Sequence, residues 1–442
     1  LHKDNFFITH LKQALCLFTN TTIQTNDEKG VFFNDRVNQL PLRRDMWDEN
    51  KKRISARNGV IVANTGGGKS VYALNMITQY LSQNINVVVA EFGRSFQFIT
   101  NLYPEISAHI SYNADEPLGI NPFAHSGVLT SEKLGLLKSI VLKTWRVKEF
   151  IEDSHVGVSI NRLLKKYYES RDSFQSYEDF YHFVINGGTE LLTQLEIDPE
   201  YFNLKSFKHN CGEFITGGLY ENVFKANEET TNIIKTKQFV VFELTEIKKD
   251  PFLVTLILLI LQETIDTNIL ADKSRKGLLL FDEFAESQSI KDLYSNDDVL
   301  STVAVLYQKI RKENGAVYII IQDPSQLPDN NYTKGIMANT QVLVVLASNK
   351  TTYKQIQSTF MLEDYEVDEL FSLRNDFDGL HKYSEQWIKL GEYSFVSRLE
   401  LSPEAYLAYQ TDGEVWKTLN DMYLENNDLK KSINIYMNKT KN

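Results

Sequence analysis

From residue 58 onward, short apolar runs alternate with segments of helical periodicity. The run 59–64 is rich in β-branched residues and ends at a glycine-rich turn, which predicts a buried strand. Residues 69–83 follow with apolar side chains at helical spacing, and 86–91 predict another buried strand. Strands that lack a polar face and are joined by a helix are typical of a parallel sheet covered on both sides.

The same alternation continues along the chain and extends the predicted sheet. Further strands are predicted at 108–113, 238–244, 277–283, 316–321 and 341–346. Helices are predicted at 251–270 and 299–313, and 385–401 predict two edge strands before a closing helical segment. The expected fold class is therefore α/β with a mostly parallel central sheet.

Helical patterns replace strands between 126 and 235, which we interpret as an all-helical insertion in the α/β domain. Its aromatic residues could form a partner surface, but their helical spacing favours a packed core. They are Tyr167, Tyr168, Phe174, Tyr177, Phe180, Tyr181 and Phe183.

The 442 residues exceed one ordinary domain, so we expect a division into parts. Residues 1–56 predict a lead-in segment that packs on the main domain, which comprises 57–125 and 236–425. The insertion occupies 126–235, and 426–442 predict a polar, loosely ordered tail. Because the chain begins with leucine, we expect it to be the C-terminal piece of a longer protein.

Charge and cysteine usage restrict the possible functions. The net charge is −11, from 47 basic and 58 acidic residues, which argues against a protein whose main task is to grip a phosphate backbone. Two cysteines, Cys16 and Cys211, are too few for a disulfide framework. The longest apolar run, 252–261, is about half the length of a bilayer span, so it predicts a buried helix, and we expect no transmembrane segment in this chain.

The most informative motif is 63–70, ANTGGGKS, which fits the P-loop pattern GxxxxGK[ST] except that Ala63 occupies the first glycine position. A predicted strand enters the loop and a predicted helix leaves it, as phosphate binding at a helix N-terminus requires. Lys69 is expected to reach the β- and γ-phosphates of ATP, and Ser70 to ligate Mg²⁺. The predicted nucleotide-binding residues are Asn64, Thr65, Gly66, Gly67, Gly68, Lys69, Ser70 and Val71.

A second motif, 278–283 (LLLFDE), ends a buried strand with Asp282 and Glu283, the Walker B pattern. Asp282 is expected to hold Mg²⁺ and Glu283 to polarise the attacking water, although such a pair can also cap the next helix.

Further candidates follow the remaining strands and helices. Gln322 ends a strand where a polar residue could sense the γ-phosphate, or simply form a strand-end hydrogen bond. Arg311, with Lys312 beside it, could act across a subunit boundary, or could only stabilise a helix C-terminus. Arg398 is an alternative trans-acting arginine, although a solvated strand position is favoured. Glu91 ends a strand where an acidic group could face the nucleotide, with Arg94 nearby, although a plain surface turn is favoured over a catalytic role.

Several segments taken together resemble a known family. They are TGGGKS, EFGRSF, GINPF, VVFELTEIKKDP, LLLFDEFAE, RKENG, IIIQDPSQ and FVSRLELSPEAY. In this order they are similar to the large conjugation ATPase of type IV secretion systems, most closely the TraG type of conjugative transposons. The resemblance covers nearly all of residues 30–425.

This resemblance implies properties that the motifs alone do not show. It implies a RecA-like P-loop NTPase domain that can form homo-hexamers, with Lys69, Glu283, Arg311 and Gln322 as catalytic residues. It also implies other secretion-system components as partners, at the cytoplasmic face of the inner membrane. A fragment of such a protein could be monomeric.

Three functions compete. The first is an ATPase motor that energises type IV secretion or conjugation, and the acidic charge favours it. The second is a coupling-type or FtsK-like ATPase that translocates DNA directly. The third is a non-catalytic nucleotide-binding scaffold, which the intact Lys69, Asp282 and Glu283 disfavour.

Overall fold

The computed structural model describes most of the chain. The residues described are 25–112, 115–125, 129–145, 155–170, 174–226, 236–247, 250–265, 274–284, 299–310, 314–377, 382–411 and 413–440.

Strands occupy the positions where β-branched and aromatic runs occur. They are β1 (Val31–Asp35), β2 (Pro41–Arg44), β3 (Gly59–Val62), β4 (Asn86–Glu91), β5 (Ser107–Ser111), β6 (Phe239–Glu243), β7 (Gly277–Asp282), β8 (Gly315–Ile321), β9 (Val342–Leu346), β10 (Asn375–Asp376), β11 (Tyr383–Leu390) and β12 (Tyr393–Glu400).

Helices fill most of the intervals between the strands. They are α1 (Lys69–Ser82), α2 (Gln97–Leu102), α3 (Ser131–Trp145), α4 (His155–Glu169), α5 (Tyr177–Gln194), α6 (Leu204–Cys211), α7 (Pro251–Ile265), α8 (Val299–Lys309), α9 (Asn331–Ala338), α10 (Lys350–Phe360), α11 (Asp364–Phe371), α12 (Pro403–Ala408), α13 (Gly413–Asn426) and α14 (Leu429–Thr440). Within the described residues, none of them is both long and apolar enough to cross a membrane.

All the described strands join one sheet, in the order β2-β1-β12-β11-β9-β3-β8-β7-β4-β6-β5, with β10 paired to β11. The seven strands from β9 to β5 are parallel, whereas β2, β1, β12 and β11 pair antiparallel with their neighbours. The predicted α/β class with a mostly parallel sheet is confirmed.

The parallel strands bury both faces, as their lack of polar positions predicts. On β3, Val60 and Val62 contribute to one core while Ile61 contributes to the other. The helices between β5 and β6 pack their aromatic residues into the first core, where Tyr167 and Phe180 are almost fully buried. The core interpretation of the aromatic cluster is therefore confirmed, although Phe174 is exposed.

Two expectations about the ends of the chain are wrong. β11 and β12 are not edge strands, because β11 pairs with β9 and β12 pairs with β1. The lead-in hairpin of β1 and β2 covers that side and becomes the edge itself. The tail is not loosely ordered either, since α14 buries Leu429 and Ile433 against the core.

Candidate nucleotide site

The turn after β3 forms an open backbone cradle. The amide of Gly67 donates to the carbonyl of Asn64 at 2.9 Å, which closes the turn. Gly66 and Gly68 adopt positive φ angles of 76° and 86°, a region that glycine enters without steric cost. No described atom lies within 4 Å of where a Cβ on Gly66 would stand, so the turn opens onto free space.

Helix α1 begins at Lys69, immediately after this turn. The first turn of α1 contains no acidic side chain. The positive charge of the helix dipole at this end is therefore not compensated by a carboxylate of the helix itself. The cradle and the helix end therefore offer amide donors to an anion such as a phosphate.

The Lys69 ammonium connects the loop to the Walker B carboxylates. Its Nζ lies 3.0 Å from Oε1 of Glu283 and 3.9 Å from Oδ1 of Asp282. Glu283 follows β7 with a φ of 52°, which is unusual for a residue other than glycine. The two motifs, more than two hundred residues apart in sequence, thus lie in contact.

Ser70 and Asp282, the predicted metal ligands, carry oxygen atoms of the kind that Mg²⁺ prefers. Asp282 is 1% exposed, and its Oδ1 accepts a hydrogen bond from the amide of Glu283 at 2.9 Å. The Ser70 hydroxyl lies 3.4 Å from the hydroxyl of Ser95. A serine hydroxyl and a carboxylate beside a phosphate cradle fit a magnesium–nucleotide complex, so the residues present suit both ATP and Mg²⁺.

Gln322, which follows β8, contacts Thr65 of the P-loop turn. The Thr65 hydroxyl donates to Oε1 of Gln322 at 3.3 Å. Gln322 therefore lies beside the P-loop, and its role as a γ-phosphate sensor stays a prediction.

The structure corrects the expectation for Glu91. Its side chain is fully buried, not part of a surface turn, and it accepts hydrogen bonds from the amides of Ser95 and Phe96. On the neighbouring strands it is in register with Asp282 and Glu243. Burial, reinforced by the Asp282 carboxylate, raises the pKa of Glu91 well above its usual range. Arg94 is largely exposed and forms ion pairs with Glu243 and Glu246.

The arginine candidates have different outcomes. Arg311 and Lys312 lie outside the described residues, so their role stays a prediction. The expectation that Arg398 is solvated is wrong, because its side chain is 13% exposed and its Nη2 donates to Glu385 at 3.1 Å.

Val71 is partly buried and packs against the core on the α1 side. Its contact with the nucleotide stays a prediction.

Sequence reasoning missed residues on two sides of the loop. Ser95 lies outside the P-loop and Walker B motifs, although it belongs to the EFGRSF segment of the family resemblance. Ser384, Leu346 and Phe377 flank Gly68, within 3.6–3.8 Å of the point where its Cβ would stand. They come from segments that are distant in sequence, and only the sheet topology brings them to the loop.

Comparisons with known proteins identify the family and support the fold. The sequence model described as the TraG P-loop domain matches residues 30–440. No curated protein matches the chain.

Solved structures with this fold include VirB4 of Thermoanaerobacter pseudethanolicus, with a TM-score of 0.61 and 15% identity over 86% of this chain and 99% of that one. The unbound conjugative coupling protein TrwBΔN70 is similar with a TM-score of 0.51 and 14% identity over 86% of this chain and 90% of that one. TrwB in complex with ADP and Mg²⁺ gives the same values, 0.51, 14%, 86% and 90%. At identities this low, structural similarity shows the fold alone. It confirms the predicted RecA-like P-loop NTPase fold.

Proposed function

The chain belongs to the TraG P-loop domain family, and we propose that it is an ATPase motor that energises a type IV secretion or conjugation apparatus. The proposed work is assembly of the apparatus and transfer of its substrate. One observation carries the catalytic part, namely the contact of Lys69 with both Asp282 and Glu283 at the mouth of the amide cradle.

Each residue has a distinct proposed role. The amides of the loop and Lys69 bind the β- and γ-phosphates, and Ser70 and Asp282 hold the metal. When bound, Mg²⁺ would neutralise the negative charge that develops on the phosphates. Lys69 exchanges its carboxylate partners for phosphate oxygens, and this exchange frees Glu283 to orient and deprotonate the attacking water.

The partners are proposed from the family. We expect a homo-hexamer in the full-length protein, bound peripherally at the cytoplasmic face of the inner membrane with other secretion-system components. In such a ring Arg311 would reach a neighbour's nucleotide, which would make hydrolysis by a monomeric fragment slow.

Phosphate release in the presence of Mg²⁺-ATP tests the proposal. Hydrolysis by the wild type that is lost in Glu283→Gln supports it, whereas nucleotide binding without turnover at any protein concentration would favour the scaffold function. DNA affinity measured at physiological salt separates the two motor functions. We expect affinity no stronger than about micromolar, because the net charge is −11.

A further inference from the structure

The turn that follows β4, residues 92–96, contacts both halves of the nucleotide site. The hydroxyl of Ser95 lies 3.4 Å from that of Ser70. A Cβ placed on Gly93 would lie 3.6 Å from Oε2 of Glu283, so this stretch of backbone borders the Walker B glutamate. One short turn thus lies beside both the predicted metal ligand and the predicted general base.

This turn is held from several directions. Oε2 of Glu91 accepts from the amide of Ser95 at 2.8 Å and from that of Phe96 at 3.3 Å. The Thr245 hydroxyl donates to the carbonyl of Gly93 at 2.9 Å. The Phe96 ring is fully buried. Glu91 itself cannot move far, because it ends a strand paired on both sides.

A hydroxyl that ligates Mg²⁺ uses an oxygen lone pair, so its proton must point away from the metal and needs an acceptor. In the structure the Ser95 hydroxyl oxygen lies 3.4 Å from that of Ser70, where it can accept this proton. Groups that orient a metal ligand in this way commonly affect metal affinity strongly.

We propose that Ser95 is a positioning residue for the metal half of the nucleotide site, where it orients the Ser70 hydroxyl, and that the buried Glu91 holds Ser95 in place. The inference rests on the proposed function, because it assigns a role within the same site. It adds a residue outside both sequence motifs.

The test measures how strongly Mg²⁺ tightens nucleotide binding. The affinity of the full chain for a fluorescent ADP analogue is determined with Mg²⁺ and with EDTA, and the ratio of the two gives the coupling. We expect Ser95→Ala to reduce this ratio by about tenfold or more while the affinity in EDTA is unchanged. Ser95→Thr retains a hydroxyl and should retain the coupling.

Three further variants make the test specific. Ser82→Ala removes an exposed hydroxyl at the far end of α1, which donates to the carbonyl of Gln79, and should leave the ratio unchanged. Glu91→Ala should reproduce the effect of Ser95→Ala. Glu91→Gln, which keeps a carbonyl acceptor for the two amides, should behave like the wild type.

Normal magnesium coupling in Ser95→Ala would overturn the positioning role. Failure of the wild type to bind the nucleotide at all would instead overturn the proposed function. A structural role of Ser95 alone would change the affinity in EDTA and the ratio would stay constant, which also contradicts the inference.

Discussion

Two charge clusters, each built around a buried carboxylate, differ in how their charges balance. At the P-loop, the single ammonium of Lys69 faces two carboxylates, Asp282 and Glu283. Where the lead-in hairpin meets β11 and β12, the 2% exposed carboxylate of Glu385 accepts from two guanidinium groups, those of Arg36 and Arg398. The first cluster has an excess of negative charge, whereas the second has cations on both sides of one carboxylate.

The difference indicates what each cluster is for. In the proposed function, the excess of carboxylate oxygen around the Lys69 ammonium favours the binding of a cation such as Mg²⁺ together with its anion. The Glu385 carboxylate also accepts a hydrogen bond from the amide of Arg374 at 2.9 Å. We expect this closed arrangement to stabilise the strands that carry it, because loss of one partner leaves a buried charge uncompensated.

Removal of the ammonium should have the largest effect. Lys69→Ala takes away the cation over the β- and γ-phosphates, and we expect ATP binding to be abolished in a fluorescence titration. Lys29→Ala, which removes a lysine that is 68% exposed, is the matched control. ATP affinity retained by Lys69→Ala would show that the P-loop cluster does not bind phosphate through this side chain.

The Walker B glutamate should separate binding from turnover. In Glu283→Gln we expect ATP affinity to persist and the rate of phosphate release to fall by about 10²–10⁴-fold, since general-base catalysis contributes that much. Glu246→Gln changes a carboxylate that is 64% exposed and serves as the control. A wild-type rate of phosphate release in Glu283→Gln would show that another residue is the general base.

Much of the P-loop cluster can be predicted from the sequence because its geometry is local. The turn and the helix start lie within eight consecutive residues, and the Walker B pair directly ends an apolar strand. Backbone conformation and hydrogen bonding inside such a short segment depend little on the rest of the chain. The parallel strands are predicted for the same reason, since each apolar run is short and bounded.

Long-range pairing cannot be predicted in this way. Glu91 is buried because β6 and β7 pair with its strand, and the residues in register with it are Glu243 and Asp282. β12 is an interior strand only because β1, from the other end of the chain, pairs Asn34 with Arg398. The sequence around Glu91 and around Arg398 contains no pattern that indicates these strand pairings.

Disruption of the Glu385 cluster should lower the stability of the protein and leave ATP binding unchanged. Glu385→Gln leaves two guanidinium groups without their shared carboxylate, and we expect the free energy of unfolding to fall by about 3 kcal/mol. Urea titration without nucleotide measures this change, and Glu392→Gln, in the exposed turn between β11 and β12, is the control. Unchanged stability combined with weaker ATP binding would assign Glu385 to the nucleotide site.

Arg398 provides the finest test of the comparison, because it is also a candidate for action on a neighbour's nucleotide. Its guanidinium donates to Glu385, lies 3.7 Å from Glu400 and stacks 3.8 Å from the ring centre of Tyr383. Lysine carries the charge but cannot make these planar contacts together. In Arg398→Lys we therefore expect a loss of about 1–2 kcal/mol in unfolding free energy and an unchanged turnover number at temperatures where the protein is folded. A fall in turnover of about 10³-fold or more in assembled rings, without a loss of stability, would identify Arg398 as a trans-acting residue. The two clusters would then belong to one catalytic interface, because a residue from the closed cluster would complete the site of the next subunit.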